Sequence, residues 1–178
     1  MLQVEDVLHF WFEELTMSQW YTKDPDLDAS IRKRFGELHR QATLAELVEW
    51  RTSFDGRVAE IIVLDQFSRN LFRDSPQAFA YDGMSLVLAQ EAIAQGALDV
   101  VNPSYQHHFL LPYMHSESLW VHERAVELRQ KYGLDLEYEL QHLHIIERFG
   151  RYPHRNAILG RISTAEEAAF LQEPDSSF

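Results

Sequence analysis

The sequence predicts an all-α protein built as an array of antiparallel helical hairpins. Apolar residues recur at three- and four-residue steps through nearly the whole chain, as at Val4, Val7, Leu8 and Trp11. Runs of alternating apolar and polar residues bounded by turns, which are typical of strands, are missing from the sequence. The stretches between helical segments are short, which favours antiparallel packing of successive helices.

The first half of the chain contains four predicted helices. The first covers about residues 4–15. The second begins at Asp24-Pro25, because Asp caps helix N-termini and Pro at the first helical position loses no needed donor. A short helix is expected at about 44–51, and a long one at about 57–72.

The second half contains four more predicted helices, at about residues 84–95, 112–132, 136–149 and 163–171. Gly96 and Gly133 are the expected stops of the first two, because glycine readily adopts the left-handed conformation that ends helices. Asn102-Pro103 marks a loop. Ser163 and Glu166 have the spacing of a capping box at the start of the last helix.

Length and charge restrict the classes of function. A chain of 178 residues fits a single domain, predicted over 1–178, with a substantial core. A net charge of −12 disfavours general binding to nucleic acid. Without cysteine, a signal-peptide pattern or an apolar stretch of membrane-spanning length, the chain is expected to be cytoplasmic and not membrane-bound.

The segment 61–73, which reads IIVLDQFSRNLFR, mixes polar and large apolar residues on one helix face. Asp65 and Arg69 have the spacing of an ion pair within a helix. If the helix is buried on all sides, both charges need partners. Two interpretations stay open: an internal ion-pair network, or a groove lined by Asp65, Gln66, Arg69 and Arg73.

The segment 112–124 supplies histidines but no metal-binding pattern. His115 and His122 are seven residues apart, which is too far for the usual pair of metal ligands on one helix. We therefore predict no metal and no cofactor. A histidine that holds a hydrogen bond between helices is the simpler role, and proton transfer by His115 is the alternative.

Arginines dominate the segment 148–165, which contains no acidic residue in an otherwise acidic chain. The arginines are Arg148, Arg151, Arg155 and Arg161. Planar guanidinium groups suit bidentate binding of carboxylate or phosphate, so this stretch is a candidate anion site. The competing interpretation is that these arginines pair with acidic residues elsewhere in the chain, including Asp65, Glu117 and the glutamates near the C terminus.

Three motifs along the chain, LDQFSRN at 64–70, PYMHSE at 112–117 and FGRYPHRNAILGR at 149–161, resemble a bacterial family classed as a domain of unknown function. The resemblance covers essentially the whole chain. It implies an all-α, tetratricopeptide-like fold, and no reaction is attached to it. The family pattern includes Ser116 together with most of the candidate residues named above.

The leading functional hypothesis is a binding module with a polar, arginine-rich groove for a small anionic ligand or a peptide. Its candidate binding residues are Asp65, Gln66, Arg69, Asn70, Arg73, His115, Glu117, His142, Arg148, Arg151, His154, Arg155 and Asn156. One alternative is an enzyme for a small anionic substrate, with His115 or His142 as acid or base and Glu117 or Asp65 orienting it. A protein-interaction scaffold is the other alternative.

Overall fold

A computed structural model describes residues 2–174 and 176, and within these it contains helices and turns but no strand. The α-helices are α1 (Val4–His9), α2 (Met17–Tyr21), α3 (Pro25–Thr43), α4 (Phe54–Leu71), α5 (Asp82–Ala94), α6 (Ala97–Val100), α7 (Pro103–Met114), α8 (Leu119–Tyr132), α9 (Glu137–Phe149) and α10 (Ala165–Phe170). Between the α-helices lie a π-helical turn (Phe10–Glu14) and three short 3₁₀ turns (Val48–Thr52, Pro76–Phe79 and Pro153–Arg155). The all-α prediction is confirmed, and the tetratricopeptide-like arrangement stays a prediction.

The chain divides into two compact units. The first unit extends to Arg73 and includes Gln77–Pro112, and the second contains Asp74–Pro76 and the chain from Tyr113 onward. The single domain over 1–178 stays a prediction. No helix in the described ranges is long and apolar enough to cross a membrane.

Helix α3 begins where the sequence predicts. The Oδ1 atom of Asp24 accepts hydrogen bonds from the backbone nitrogens of Asp26 (2.9 Å) and Leu27 (3.2 Å). Pro25 occupies the first helical position, where no backbone donor is needed. The apolar stripe of α3, which includes Ile31 and Phe35, is fully buried.

Helix α4 is the centre of the first unit. It contacts α1, α3 and α5, and it is buried along nearly its whole length. The ring of Phe67 lies 5.0 Å from the ring of Phe35 and 5.7 Å from that of Trp11, both measured between centroids. Because α4 is enclosed, its charged side chains must find partners inside the protein.

The second unit contains a hairpin of α8 and α9, which contact each other. Gly133 ends α8 with a φ of 65°, a conformation that glycine adopts at little cost. Ile145 and Ile146 of α9 pack with Tyr152 and Phe170 in a buried cluster.

The prediction of one helix over 112–132 is wrong. The chain forms α7, which contains Pro112 in its last turn, then leaves the helical path at His115 and begins α8 at Leu119. Pro112 resembles a helix start in the sequence but lies near a helix end. The last capping box is also shifted by one residue, because Thr164 and Glu167, not Ser163 and Glu166, form it.

Candidate functional site

The polar residues of the LDQFSRN motif are paired within the first unit. Asp65 is 1% exposed, and its carboxylate accepts hydrogen bonds from Nη1 of Arg69 at 2.9 Å and from Nε2 of Gln66 at 2.6 Å. The same Arg69 nitrogen lies 2.9 Å from Oδ1 of Asp82. This is the internal ion-pair network that the burial of α4 requires.

Two further candidate residues of this segment share one carboxylate. Asn70 donates from Nδ2 to Oδ1 of Asp28 at 2.8 Å, and Arg73 donates from Nη2 to the same oxygen at 2.8 Å. Together they join the end of α4 and the second residue after it to α3. Both side chains therefore donate hydrogen bonds to a residue of the protein itself.

The arginine-rich stretch is also paired, within the second unit. Arg161 donates two hydrogen bonds to Glu117. Arg151 donates two to Glu167, at 2.6 and 2.8 Å. Arg148 donates one to Glu166, at 2.9 Å. The side-chain bond from Arg151 and the backbone of Thr164 lower the pKa of Glu167 to about 2. The sequence interpretation in which these arginines pair with acidic residues elsewhere agrees with this geometry.

The remaining polar residues of the last motif hold the chain together around Tyr152. Arg155 donates from Nη2 to the carbonyl of His115 at 3.0 Å, and its guanidinium lies 4.8 Å from the Tyr152 ring centroid. Asn156 accepts from Nε of Arg161 at 2.9 Å. Burial raises the pKa of Glu117, but the bonds from Arg161 and from the Tyr152 backbone outweigh it, so the net shift is downward.

Histidine rings surround Tyr152 in the second unit. The centroids of His122, His142 and His154 lie 6.3, 5.8 and 5.5 Å from that of the Tyr152 ring. Burial, assisted by the neighbouring histidines, lowers the pKa of His142 to about 3, so its imidazole is neutral. No group of His, Asp and Glu that could hold a metal ion occurs among the residues described.

The candidate residues therefore form partnered networks inside each unit. The ligand-binding role of the thirteen residues stays a prediction. A different place offers open space next to cationic groups, and the sequence interpretation did not identify it.

A cavity of about 230 Å³ lies in the first unit, and we call it the α3 cavity. It is lined by Arg32, Gly36, His39, Arg40, Thr43, Leu71, Phe72 and Tyr81. The residues from α3 recur at steps of three and four, so they share one face of that helix. That shared face, with two arginines, a histidine and a glycine, is the part of the cavity wall that the sequence alone could have indicated.

The wall of the cavity contains a histidine whose protons can be assigned. His39 is 4% exposed, and its Nε2 atom lies 2.7 Å from Oγ of Ser68. The Ser68 hydroxyl donates to the Leu64 carbonyl at 2.6 Å. Burial lowers the pKa of His39 to about 4, so the ring is neutral near pH 7.

Arg32 and Arg40 are both exposed, and they differ in their partners. Arg40 pairs with Glu37 at 2.7 Å. Arg32 donates from Nη2 to the Leu71 carbonyl, and within residues 2–174 and 176 it pairs with no carboxylate. Arg57 resembles it, since it donates to the Arg51 carbonyl at 2.9 Å and also pairs with no carboxylate in that part of the chain, but it does not line the cavity.

Gly36 leaves room inside the cavity. A Cβ atom placed on Gly36 meets nothing within 4 Å. Alanine is a better helix former than glycine, so the missing side chain costs helix stability and leaves space between Arg32 and Arg40. The cavity thus combines open volume with a guanidinium that has no acidic partner among the described residues.

These features define an all-helical protein with buried ion-pair networks and a small cation-lined cavity. Residues 7–175 match the family model of bacterial proteins of unknown function called DUF924, and the chain belongs to this family. The chain is also similar to the solved structure of ATU0120, a protein of unknown function from Agrobacterium tumefaciens. The two share 35% identity and a TM-score of 0.88, over 95% of this chain and 96% of that one. Comparison with curated proteins found no match.

Proposed function

We propose that the protein is a binding module for a small anionic ligand, which it holds in the α3 cavity. The observation that carries this proposal is Arg32, a cavity residue whose guanidinium pairs with no carboxylate in the described ranges. A guanidinium recognises carboxylate and phosphate through paired charge-assisted hydrogen bonds. Its bond to the Leu71 carbonyl uses one donor atom and leaves other donors for a ligand.

The location differs from the groove that the sequence suggested. Arg151 and Arg161 each form two bonds to one carboxylate, so an incoming anion has to compete with Glu167 and Glu117. Arg32 pairs with no carboxylate among the described residues, so an anion that binds it there has no such competitor. This difference favours the α3 cavity over the arginine-rich stretch.

Size and charge restrict the ligand further. A cavity of about 230 Å³ is smaller than the roughly 300–1,000 Å³ of sites for drug-sized molecules. The net charge of −12 opposes approach of any anion, so local contacts with the cavity arginines must supply the affinity. We therefore expect weak, specific binding of compact anions.

The test is isothermal titration of the protein with lactate, propionate, phosphate and sulfate. Arg32→Gln should weaken binding by about 10-fold or more, because a hydrogen bond to a charged group contributes roughly 1.5–3 kcal/mol. Arg57→Gln is the matched control, since Arg57 also bonds a carbonyl and pairs with no described carboxylate, and it should bind as the wild type does.

A second variant closes the cavity without touching a charge. Gly36→Leu places a side chain in space where a Cβ meets no atom within 4 Å, so it should fold and should abolish binding. If the wild type binds none of the four anions, or if Gly36→Leu and Arg32→Gln bind them as the wild type does, the proposal is wrong.

A further inference from the structure

The protons around His39 indicate what else a ligand of the α3 cavity must carry, and this inference rests on the proposed function. The Ser68 hydroxyl has one proton, which it donates to the Leu64 carbonyl. The Nε2 atom of His39, 2.7 Å from the same oxygen, must therefore be the donor in the His39–Ser68 bond. The proton of the neutral ring thus lies on Nε2, and Nδ1 has a lone pair.

That lone pair is the side of the ring available to a ligand. Ser68 is not among the residues that line the cavity, so the Nε2 edge of His39 is directed away from it, towards α4. No hydrogen bond to Nδ1 of His39 occurs in the part of the chain that the structure describes. His39 lines the cavity and its Nε2 atom is bonded to Ser68, so Nδ1 is the ring nitrogen that is left for a ligand.

An acceptor beside a guanidinium selects a particular chemistry. Arg32 favours a negative oxygen, whereas the Nδ1 lone pair of His39 repels one and needs a hydrogen that it can accept. We propose that the α3 cavity binds a small anion that carries its own O–H donor next to the negative charge. A hydroxycarboxylate and a hydrogen phosphate both meet this requirement, and a plain carboxylate or sulfate does not.

Paired probes test the requirement on the wild-type protein. Lactate and propionate differ in one hydroxyl, and phosphate differs from sulfate in keeping a proton near pH 7. One added hydrogen bond corresponds to roughly 3- to 10-fold in affinity. We expect lactate to bind tighter than propionate by that factor, or phosphate tighter than sulfate, and the pair that shows the preference distinguishes the two ligand sources.

A conservative variant locates the preference at His39. In His39→Gln the amide nitrogen can replace Nε2 as donor to Ser68, but no acceptor remains at the Nδ1 position. The preference ratio should fall to about one, while Arg57→Gln should leave the ratio unchanged. Nitrogen-15 shifts of the His39 ring should also show the proton on Nε2, and this measurement needs no variant and no ligand.

The outcomes separate this inference from the proposed function. If all four anions bind with equal affinity and Arg32→Gln weakens all of them, the anion site stands and the donor requirement is wrong. If a preference is present and survives in His39→Gln, or if the proton lies on Nδ1, the role of His39 is wrong. If no anion binds to the wild type, both proposals fail.

Discussion

The guanidinium of Arg161 forms a two-point salt bridge with Glu117, which lies 44 residues earlier in the chain. Its Nη1 is 2.7 Å from Oε2 of Glu117, and its Nη2 is 2.9 Å from Oε1. Glu117 also accepts the backbone N–H of Tyr152 at 2.7 Å. One carboxylate therefore fixes the segment after α7 to the segment that follows α9.

Glu117→Ala should destabilise the protein by about 2–3 kcal/mol, because it leaves the Tyr152 N–H without its acceptor and removes the carboxylate that pairs with Arg161. Urea unfolding measures the change. Glu123→Ala is the control, since Glu123 is exposed and has no ion pair or hydrogen bond among the described residues, and its effect should stay within about 0.5 kcal/mol. Equal losses for both variants would contradict a specific role for the Glu117 bridge.

Arg148→Gln and Arg151→Gln should differ in their effect on stability although both remove an arginine that is paired with a glutamate. The partner of Arg151, Glu167, is buried, whereas the Arg148–Glu166 pair is exposed on both sides. Arg151→Gln leaves a buried carboxylate with fewer partners, so it should destabilise the protein more than Arg148→Gln, which removes an exposed pair. Chemical denaturation of the two variants side by side tests the order, and the reverse order would contradict it.

Stability should fall as the pH drops below about 6.5, because the protein buries neutral histidines. Burial lowers the pKa of His39 to about 4, and those of His108 and His142 to about 3. Below pH 6.5 these histidines bind protons in the unfolded chain but not in the folded protein. Their full contribution to the free energy of unfolding is therefore present above pH 6.5, and it is lost as the pH falls towards the folded-state pKa values of about 4 and 3.

The window from pH 6.5 to 5 isolates these histidines, since it lies above the ordinary range of carboxylates. Each histidine should contribute about 1–2 kcal/mol of lost stability across it. Urea unfolding at several pH values measures the slope, and His39→Gln should make it shallower. An unchanged slope in that variant would show that His39 does not titrate as its burial predicts.

Two glycine substitutions should change the stability of the protein in opposite directions. Gly36→Ala should stabilise the protein by about 0.5–1 kcal/mol, because the new methyl group meets open space inside a helix. Gly56→Ala should destabilise it, because a Cβ there overlaps the Trp50 carbonyl oxygen. Thermal melting of both variants provides the comparison, and a destabilised Gly36→Ala would mean that the α3 cavity is narrower than described.

Local signals in the sequence were sufficient for much of the fold. Asp24-Pro25 begins α3 as predicted, and the four-residue spacing of Asp65 and Arg69 forms the expected ion pair. These features depend on residues close together in the chain. The break after α7 was missed because Pro112 suits the first turn of a helix, whereas it lies in the last turn of α7, where a proline lacks the backbone N–H of that turn.

The candidate site was harder to predict, because it depends on empty space. The α3 cavity exists where Gly36 lacks a side chain and where Phe72 and Tyr81, distant in sequence, complete the wall. The arginine-rich stretch resembles an anion site in the sequence because two of its acidic partners, Glu166 and Glu167, lie just beyond the segment without acidic residues. Pairing over 16–18 residues is invisible to a local count of charges.

The burial of α4 has a consequence for how the chain assembles during synthesis. Its 18 residues contact α1 and α3, which are made before it, and α5, which is made after it. Until the chain has been synthesised through Ala94, the side of α4 that packs against α5 stays exposed. Asp82, which pairs with Arg69, is the first residue of α5. The first unit can therefore close around its central helix only once α5 has emerged.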